Sequence, residues 1–266
     1  MFPYFTLVGR VIGMYPIMAL CGIFAAGIYV CFICKKEGHD DNDGILFLLI
    51  AAIGVFLGGH LLYALVNFRE ITALANNIQE IRSWGDFIYY FMNIFGGSVF
   101  YGGLLGGIGA GFIYINKHRE KSYLIDIVSP AVPLFHFFGR IGCFLGGCCF
   151  GIESLFGFTF DHAIIEEANG INRFPVQLLE ACFNLVLFLC LHNIRKKQLF
   201  KNKLLYLYLL VYSAGRFLIE FLRGDEYRGR LLFLSTSQII SIVIFCVAIT
   251  MLHKKGAPRY PSLDIS

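Results

Sequence analysis

Charge is what this 266-residue chain has least of: Asp, Glu, Lys and Arg together make up 15% of it, against a hydrophobic share of 57%. A soluble domain carries about 25% charged and about 45–50% apolar residues, so a water-soluble globule is excluded, as is a disordered chain. The net charge is only +4, from 22 basic and 18 acidic residues. That is too little to argue for nucleic acid, and no nucleic-acid partner is expected; the basic residues instead set topology and meet anionic membrane lipid. The nine cysteines include a single CxxC, Cys31-Phe32-Ile33-Cys34, inside an apolar run where the thiols read as small hydrophobes, and no HExxH, GxSxG or phosphate-loop pattern occurs, so the paired spacing of a zinc ribbon and zincin, serine-hydrolase and P-loop chemistry lack sequence support. No cofactor and no metal are expected.

What is present is apolar length. A spanning helix needs about 20 predominantly apolar residues, and seven stretches qualify: 11–34, 44–68, 87–115, 123–151, 175–193, 204–222 and 231–252. The first is too long for the core of a cleavable signal peptide and lacks a charged start. The expected fold is all-α: one polytopic transmembrane domain over 1–266, with seven transmembrane helices and extracytoplasmic loops at 69–86 and 152–174. Eight glycines between Gly96 and Gly111, and Pro130 with Pro133, predict breaks or kinks in the third and fourth stretches.

Connecting segments on the N-terminal side hold seven Lys and Arg, and those on the opposite side thirteen. The positive-inside bias therefore places the N-terminus outside and the C-terminus in the cytoplasm.

An ionisable group inside a span costs about 2.5–3.5 kcal/mol on insertion scales and calls for a pairing or functional reason. The spans hold five: Asp126, Arg140, Glu180, Arg216 and Glu220. Asp126 lies near the cytoplasmic start of the fourth. The other four converge by topology alone, because spans four and six end, and span five begins, at the outer surface. Arg216, Glu220 and Arg223 stand at i, i+4 and i+7, the spacing of one helix face. Arg140, Arg173, Arg216 and Arg223 face Glu180, Glu220 and Asp225, a positive surplus that suits a phosphate bound bidentately by guanidinium groups. The plainer reading is internal ion pairing.

Gly102, Gly103, Gly106 and Gly107 form small-xxx-small patterns, which suit close helix packing or a broken helix whose backbone N–H groups line a polar cavity. Tyr101 would sit beside that break. Cys143, Cys148 and Cys149 lie next to Arg140 at the outer end of span four. They read as packing thiols, with a nucleophile, metal ligand or redox pair as the alternative. His60 and His136 read as satisfied core histidines.

Three segments carry a family resemblance. Gly139-Arg140-Ile141-Gly142-Cys143-Phe144, followed by Gly151, resembles the prolipoprotein diacylglyceryl transferase signature Gly-Arg-x-Gly-Asn-Phe-x-Asn-x-Glu-x-x-Gly. Arg173-Phe174-Pro175-x-Gln177-Leu178-x-Glu180 is similar to the family's Arg-His-Pro-x-Gln-Leu-Tyr-Glu, and Gly215-Arg216-x-x-x-Glu220-Phe221-x-Arg223 to its Gly-Arg-x-x-x-Glu-Phe-x-Arg. The resemblance implies transfer of a diacylglyceryl group from phosphatidylglycerol to the lipobox cysteine of a precursor lipoprotein, recognised through its signal peptide, with release of glycerol phosphate. It implies a multi-pass protein of the bacterial inner (plasma) membrane with its active site near the extracytoplasmic face. Arg140, Arg216 and Tyr101 take the catalytic positions, Tyr101 standing where the family has histidine. Tyr15, Gly102, Gly103, Arg173, Gln177, Glu180, Glu220 and Arg223 take the substrate-binding ones. The signature Asn, Asn and Glu fall at Cys143, Gly146 and Cys148. These departures keep two alternatives open: a relative with the same lipid donor and another acceptor, and a membrane thiol oxidoreductase or metal-binding protein built on the three cysteines. A lipid transporter that makes no bond ranks behind both.

Overall fold

The computed structural model describes residues 3–7, 10–68, 71–72, 83–225, 230–231 and 233–254. Residues 69–70 and 73–82 of the expected 69–86 loop, and the tail 255–266, lie outside the described residues. The chain divides into two compact units, residues 42–122 and residues 1–41 with 123–266.

The larger unit is built on five helices: α1 (Met14–Lys36), α5 (Tyr123–Gly146), α6 (Val176–Lys196), α7 (Leu204–Ile219) and α8 (Thr236–His253). α1 packs on α5, α5 on α6, and α7 on both α6 and α8. Leu187 and Leu191 of α6 and Leu204, Tyr208 and Tyr212 of α7 form an apolar seam. Pro175 sits at the N-cap of α6, one residue before the helix, where its missing N–H is harmless.

The helix ends show the alternation of direction. Glu37, just past α1, pairs with Arg195 in the last turn of α6. Asp126, in the first turn of α5, accepts from the backbone N–H groups of Asn202 and Leu204 at the start of α7. Lys203 donates to the carbonyl of Leu252 at the end of α8, at 2.7 Å. One end of the unit therefore gathers the C-termini of α1, α6 and α8 with the N-termini of α5 and α7. Asp126, given no role by the sequence reading, satisfies N–H groups that an α-helix start leaves open.

Of the break or kink expected at Pro130 and Pro133, the break does not occur, as α5 runs continuously through both. Just before Pro130, Ser129 Oγ donates to the carbonyl of Ile125, one turn back, at 2.6 Å. The segment after α5 is more ordered than a loop. It carries β3 (Glu153–Thr159) antiparallel to β4 (Asn172–Arg173), folded over a small core of Phe150, Phe160 and Ala168. Two more short hairpins occur, β1 (Tyr4–Leu7) with β2 (Arg10–Gly13), and β5 (Arg230–Leu231) with β6 (Leu234–Ser235). The expectation of an all-α chain is met by the membrane-length elements and departed from, among the described residues, in these short ladders and in isolated bridges.

The smaller unit holds α2 (Asp41–Val66), α3 (Trp84–Phe95) and α4 (Phe100–Lys117). The third apolar stretch is thus broken at 96–99, as its glycines predict. α2 meets two of the freed backbone groups. Val99 N–H donates to Gly59 O at 3.1 Å, and His60 Nδ1 lies 2.6 Å from Phe95 O. Six described helices are long and apolar enough to cross a membrane, namely α1, α2, α5, α6, α7 with its last turn, and α8.

Candidate functional site

The end of the larger unit opposite Glu37 and Arg195 collects most of the buried charges among the described residues. Arg140 lies near the C-terminus of α5 and Glu180 in the first turns of α6; Arg140 Nη2 and Glu180 Oε1 are 2.8 Å apart. The second Glu180 oxygen is 3.9 Å from Arg223 Nη1. Arg223 Nε is 3.9 Å from Glu220 Oε2, which pairs with Arg216 Nη2 at 2.6 Å. Arg140, Glu180, Arg223, Glu220 and Arg216 therefore form one chain of charges across α5, α6 and α7.

α8 closes the far side. Its capping box pairs Ser235 with Gln238, and the same Ser235 hydroxyl donates to Glu220 Oε1 at 2.8 Å. Arg216 Nη2 reaches Ser237 Oγ at 3.4 Å. Nothing in the sequence reading singled out these serines. Their signal was the Ser235-x-x-Gln238 start of the last apolar run, a helix-start signature.

Arg223 departs from the expected helix face. The α-helix ends at Ile219, Glu220–Leu222 tighten into a 3-10 turn, and Arg223 is extended. The i, i+4 pair of Arg216 with Glu220 holds, but Arg223 leaves the helix and binds both oxygens of Asp225, at 2.9 and 2.7 Å. Burial opposes its charge, yet that fork keeps the Arg223 guanidinium above its ordinary pKa.

Arg173 stands apart. It lies over the Phe150 ring at 4.2 Å and donates to the carbonyls of Gly151 and Glu167, clamping the β3–β4 segment to the end of α5. The sequence-based surplus of four cations over three anions is therefore not gathered in one place. Arg140, Arg216 and Arg223 are matched by Glu180, Glu220 and Asp225. This neutrality has a physical reason, since an uncompensated charge removed from water costs several kcal/mol.

Donors remain within the neutral chain. Arg216 Nη1 and Arg223 Nη1 are buried without a hydrogen-bond acceptor among the described residues, and guanidinium donors left this way suit an added oxyanion. Gln177, in the first turn of α6, donates to Cys148 O at 2.9 Å. Tyr15, in the first turn of α1, packs beside Gly142, where an added Cβ would stand 3.2 Å from Tyr15 Cα. The structure thus brings Tyr15, Arg140, Arg173, Gln177, Glu180, Arg216, Glu220 and Arg223 to one end of the unit.

Tyr101, Gly102 and Gly103 belong to the other unit, in the first turn of α4. A Cβ at Gly102 would strike the carbonyl oxygen of Gly58, and one at Gly106 that of Gly54. The glycines let α2 and α4 meet backbone to backbone, the packing reading of their pattern. His136 lies 3.4 Å from the Tyr208 hydroxyl and beside the Tyr212 ring, a satisfied core histidine as expected.

Comparison with known proteins places the chain in a family. A family model described as prolipoprotein diacylglyceryl transferase matches residues 3–254. A Clostridium tetani protein named phosphatidylglycerol--prolipoprotein diacylglyceryl transferase is 33% identical over 248 residues, covering 92% of this chain and 94% of its own. A Clostridium perfringens protein carrying that name with the number 2 is 31% identical over 245 residues, 90% of each chain. A Campylobacter jejuni protein of the same name is 31% identical over 256 residues, 92% of this chain and 90% of its own.

Proposed function

From the premise that the chain belongs to the prolipoprotein diacylglyceryl transferase family, and so is a multi-pass membrane transferase, we propose that it moves the diacylglyceryl group of phosphatidylglycerol onto the lipobox cysteine of a precursor lipoprotein. The carrying observation is the ion-pair chain from Arg140 through Glu180, Arg223 and Glu220 to Arg216, in which Arg216 Nη1 is buried with no hydrogen-bond acceptor among the described residues.

In this reading the substrate thiol attacks the glyceryl carbon that carries the phosphate oxygen. A C–S bond forms, the C–O bond breaks, and the electron pair leaves on the phosphate. A phosphodiester of charge −1 becomes glycerol phosphate, whose second pKa is about 6, so the phosphate takes up the thiol's proton or releases it to water. Negative charge grows on the phosphate as the bond breaks, and fixed guanidinium donors stabilise that change most in a site withdrawn from water. Arg140 and Arg216 are assigned this work, and Arg223 holds the phosphate with them. Glu180 and Glu220 keep the guanidinium groups paired until the lipid arrives. Tyr15, Arg173 and Gln177 shape the rim. Tyr101, at the family's histidine position, is assigned to the acceptor step, and Gly102 and Gly103 set the helix that carries it.

We further infer seven crossings, with the broken 87–115 stretch as the third, and one transmembrane domain over 1–266. The N-terminus lies outside, the C-terminus in the cytoplasm, and the charge chain near the extracytoplasmic face of the bacterial inner membrane. The basic-residue bias and the single family match over 3–254 support this.

The deciding experiment follows labelled glyceryl lipid from phosphatidylglycerol to a lipobox peptide, using purified protein and its Arg140→Ala and Arg216→Ala variants. Both variants, folded, are expected to be inactive. Normal turnover in either would refute this site, and lipid cleavage without peptide labelling would point to a different acceptor.

A further inference from the structure

The end of α5 is built in a way that the lipid reading does not use. Gly147 is left-handed, at φ +71°, a conformation open to glycine at little cost. Its N–H donates to Phe144 O at 3.3 Å, and the next N–H, of Cys148, donates back to Cys143 O at 3.1 Å. These are the two bonds of a Schellman cap. In that cap the side chain two residues past the end folds against the one three residues before it, a meeting that is ordinarily apolar. Here the pair is Cys148 and Cys143. Cys149 is also left-handed, at φ +57°, an uncommon state for a residue with a side chain, and its sulfur turns to the same place. The three Sγ atoms lie within 4.8 Å of one another, with Cys143 buried and Cys148 and Cys149 partly exposed.

We propose that Cys143, Cys148 and Cys149 form a binding site for one thiophilic d10 cation of the Zn2+ or Cu+ kind, held by three thiolates at the end of α5. A metal–sulfur bond of about 2.3 Å puts neighbouring sulfurs about 3.8 Å apart in a tetrahedral site. Small side-chain rotations close the trio onto an ion from its present spacing. Soft thiolate donors select these ions over Mg2+ or Ca2+.

Three thiolates around a dication leave a net −1, next to two arginines that are each already paired with a carboxylate. Arg140 precedes Cys143 by three residues on α5, and the Arg223 backbone pairs with Gly151, two residues past Cys149. The carbonyl of Cys148 is held by Gln177, so a second element fixes the turn that carries two ligands. A disulfide would leave one sulfur over, and the adjacent Cys148 and Cys149 pair only with strain. An ion uses all three.

The test is independent of lipid turnover. Anaerobically purified protein in detergent is titrated with Cd2+, whose thiolate complexes absorb in the near ultraviolet. The expected result is uptake of a single equivalent with that band, lost in Cys148→Ser and Cys149→Ser variants that keep the wild-type melting temperature, and retained in Cys21→Ser and Cys246→Ser. On the wild type alone, bound ion is expected to shield the trio from alkylation while Cys21 stays reactive. No band, a band that survives both cluster variants, or a disulfide within the trio found by mass spectrometry with no metal uptake, would each overturn the site. Because the readout needs neither phosphatidylglycerol nor acceptor, an inactive transferase that binds the ion would leave this proposal standing.

Discussion

Arg140 of α5 and Glu180 of α6 meet at 2.8 Å, and the same carboxylate leans toward Arg223 with its second oxygen at 3.9 Å. One acid thus answers two arginines that arrive on different parts of the chain. Taking one partner from such a buried pair strands the other and costs about 3–5 kcal/mol, whereas replacing both with apolar side chains is close to neutral. Glu180→Gln is therefore expected to lower the unfolding temperature in detergent sharply. Arg140→Met with Glu180→Leu is expected to recover most of that loss while remaining dead in lipid transfer. A double variant as unstable as the single would show that the two side chains are not energetically coupled.

Arg216→Lys separates charge from geometry. Lysine keeps a cation near Glu220 and so preserves the buried pair, but it lacks the planar fork that grips phosphate at two oxygens. Losing one preorganised donor to developing negative charge lowers turnover by about 10²–10³-fold. The expected outcome is a stable protein with phosphatidylglycerol turnover reduced by about that factor. Turnover within a few-fold of wild type would remove Arg216 from the phosphate's reach.

Much of this site was legible because topology does the assembling. Helices that alternate in direction bring the ends of α5 and α7 to the start of α6, so Arg140, Arg216 and Glu180 share a depth whatever the details of packing. Arg223 was not legible in the same way. Its i+7 spacing assumed a continuous α-helix, and the tightening of Glu220–Leu222, which turns it to Asp225, is a choice of the chain's exit. The break at 96–99 followed from glycine content. That His60 and Gly59 of α2 satisfy its backbone is a tertiary fact with no local signature. The meeting of three cysteines needed the left-handed Gly147 and Cys149, which the run Gly146-Gly147-Cys148-Cys149 permits but does not declare.

The contact between α2 and α4 has a clean control. A methyl at Gly102 or Gly106 drives into a backbone carbonyl of α2, while one at Gly109 meets nothing within 4 Å. Overpacking of this kind costs about 1–3 kcal/mol. Gly102→Ala and Gly106→Ala are expected to reduce the yield and melting temperature of folded protein, and Gly109→Ala to leave both unchanged. Equal behaviour of all three would mean that the helices do not approach at these glycines.

The direction of insertion decides whether the chemistry is reachable at all, because a lipobox thiol emerging from the membrane needs the charge chain on its own side. Glu37, Arg195 and Lys203 stand at the other end of the unit, with Lys35, Lys36, Lys196, Lys197 and Lys201 close by in sequence. Basic residues resist translocation, so this end is expected to stay in the cytoplasm. A fluorescent-protein fusion after Ser266 should then glow, as such reporters do when they fold inside the cell, and an alkaline phosphatase inserted in the 152–174 segment should be active, as that enzyme needs the oxidising exterior. The reverse pair of results would put Arg140 and Arg216 on the cytoplasmic side, where no exported precursor presents its cysteine. The transfer reaction would have to be withdrawn, even though the ion-pair chain itself would be untouched.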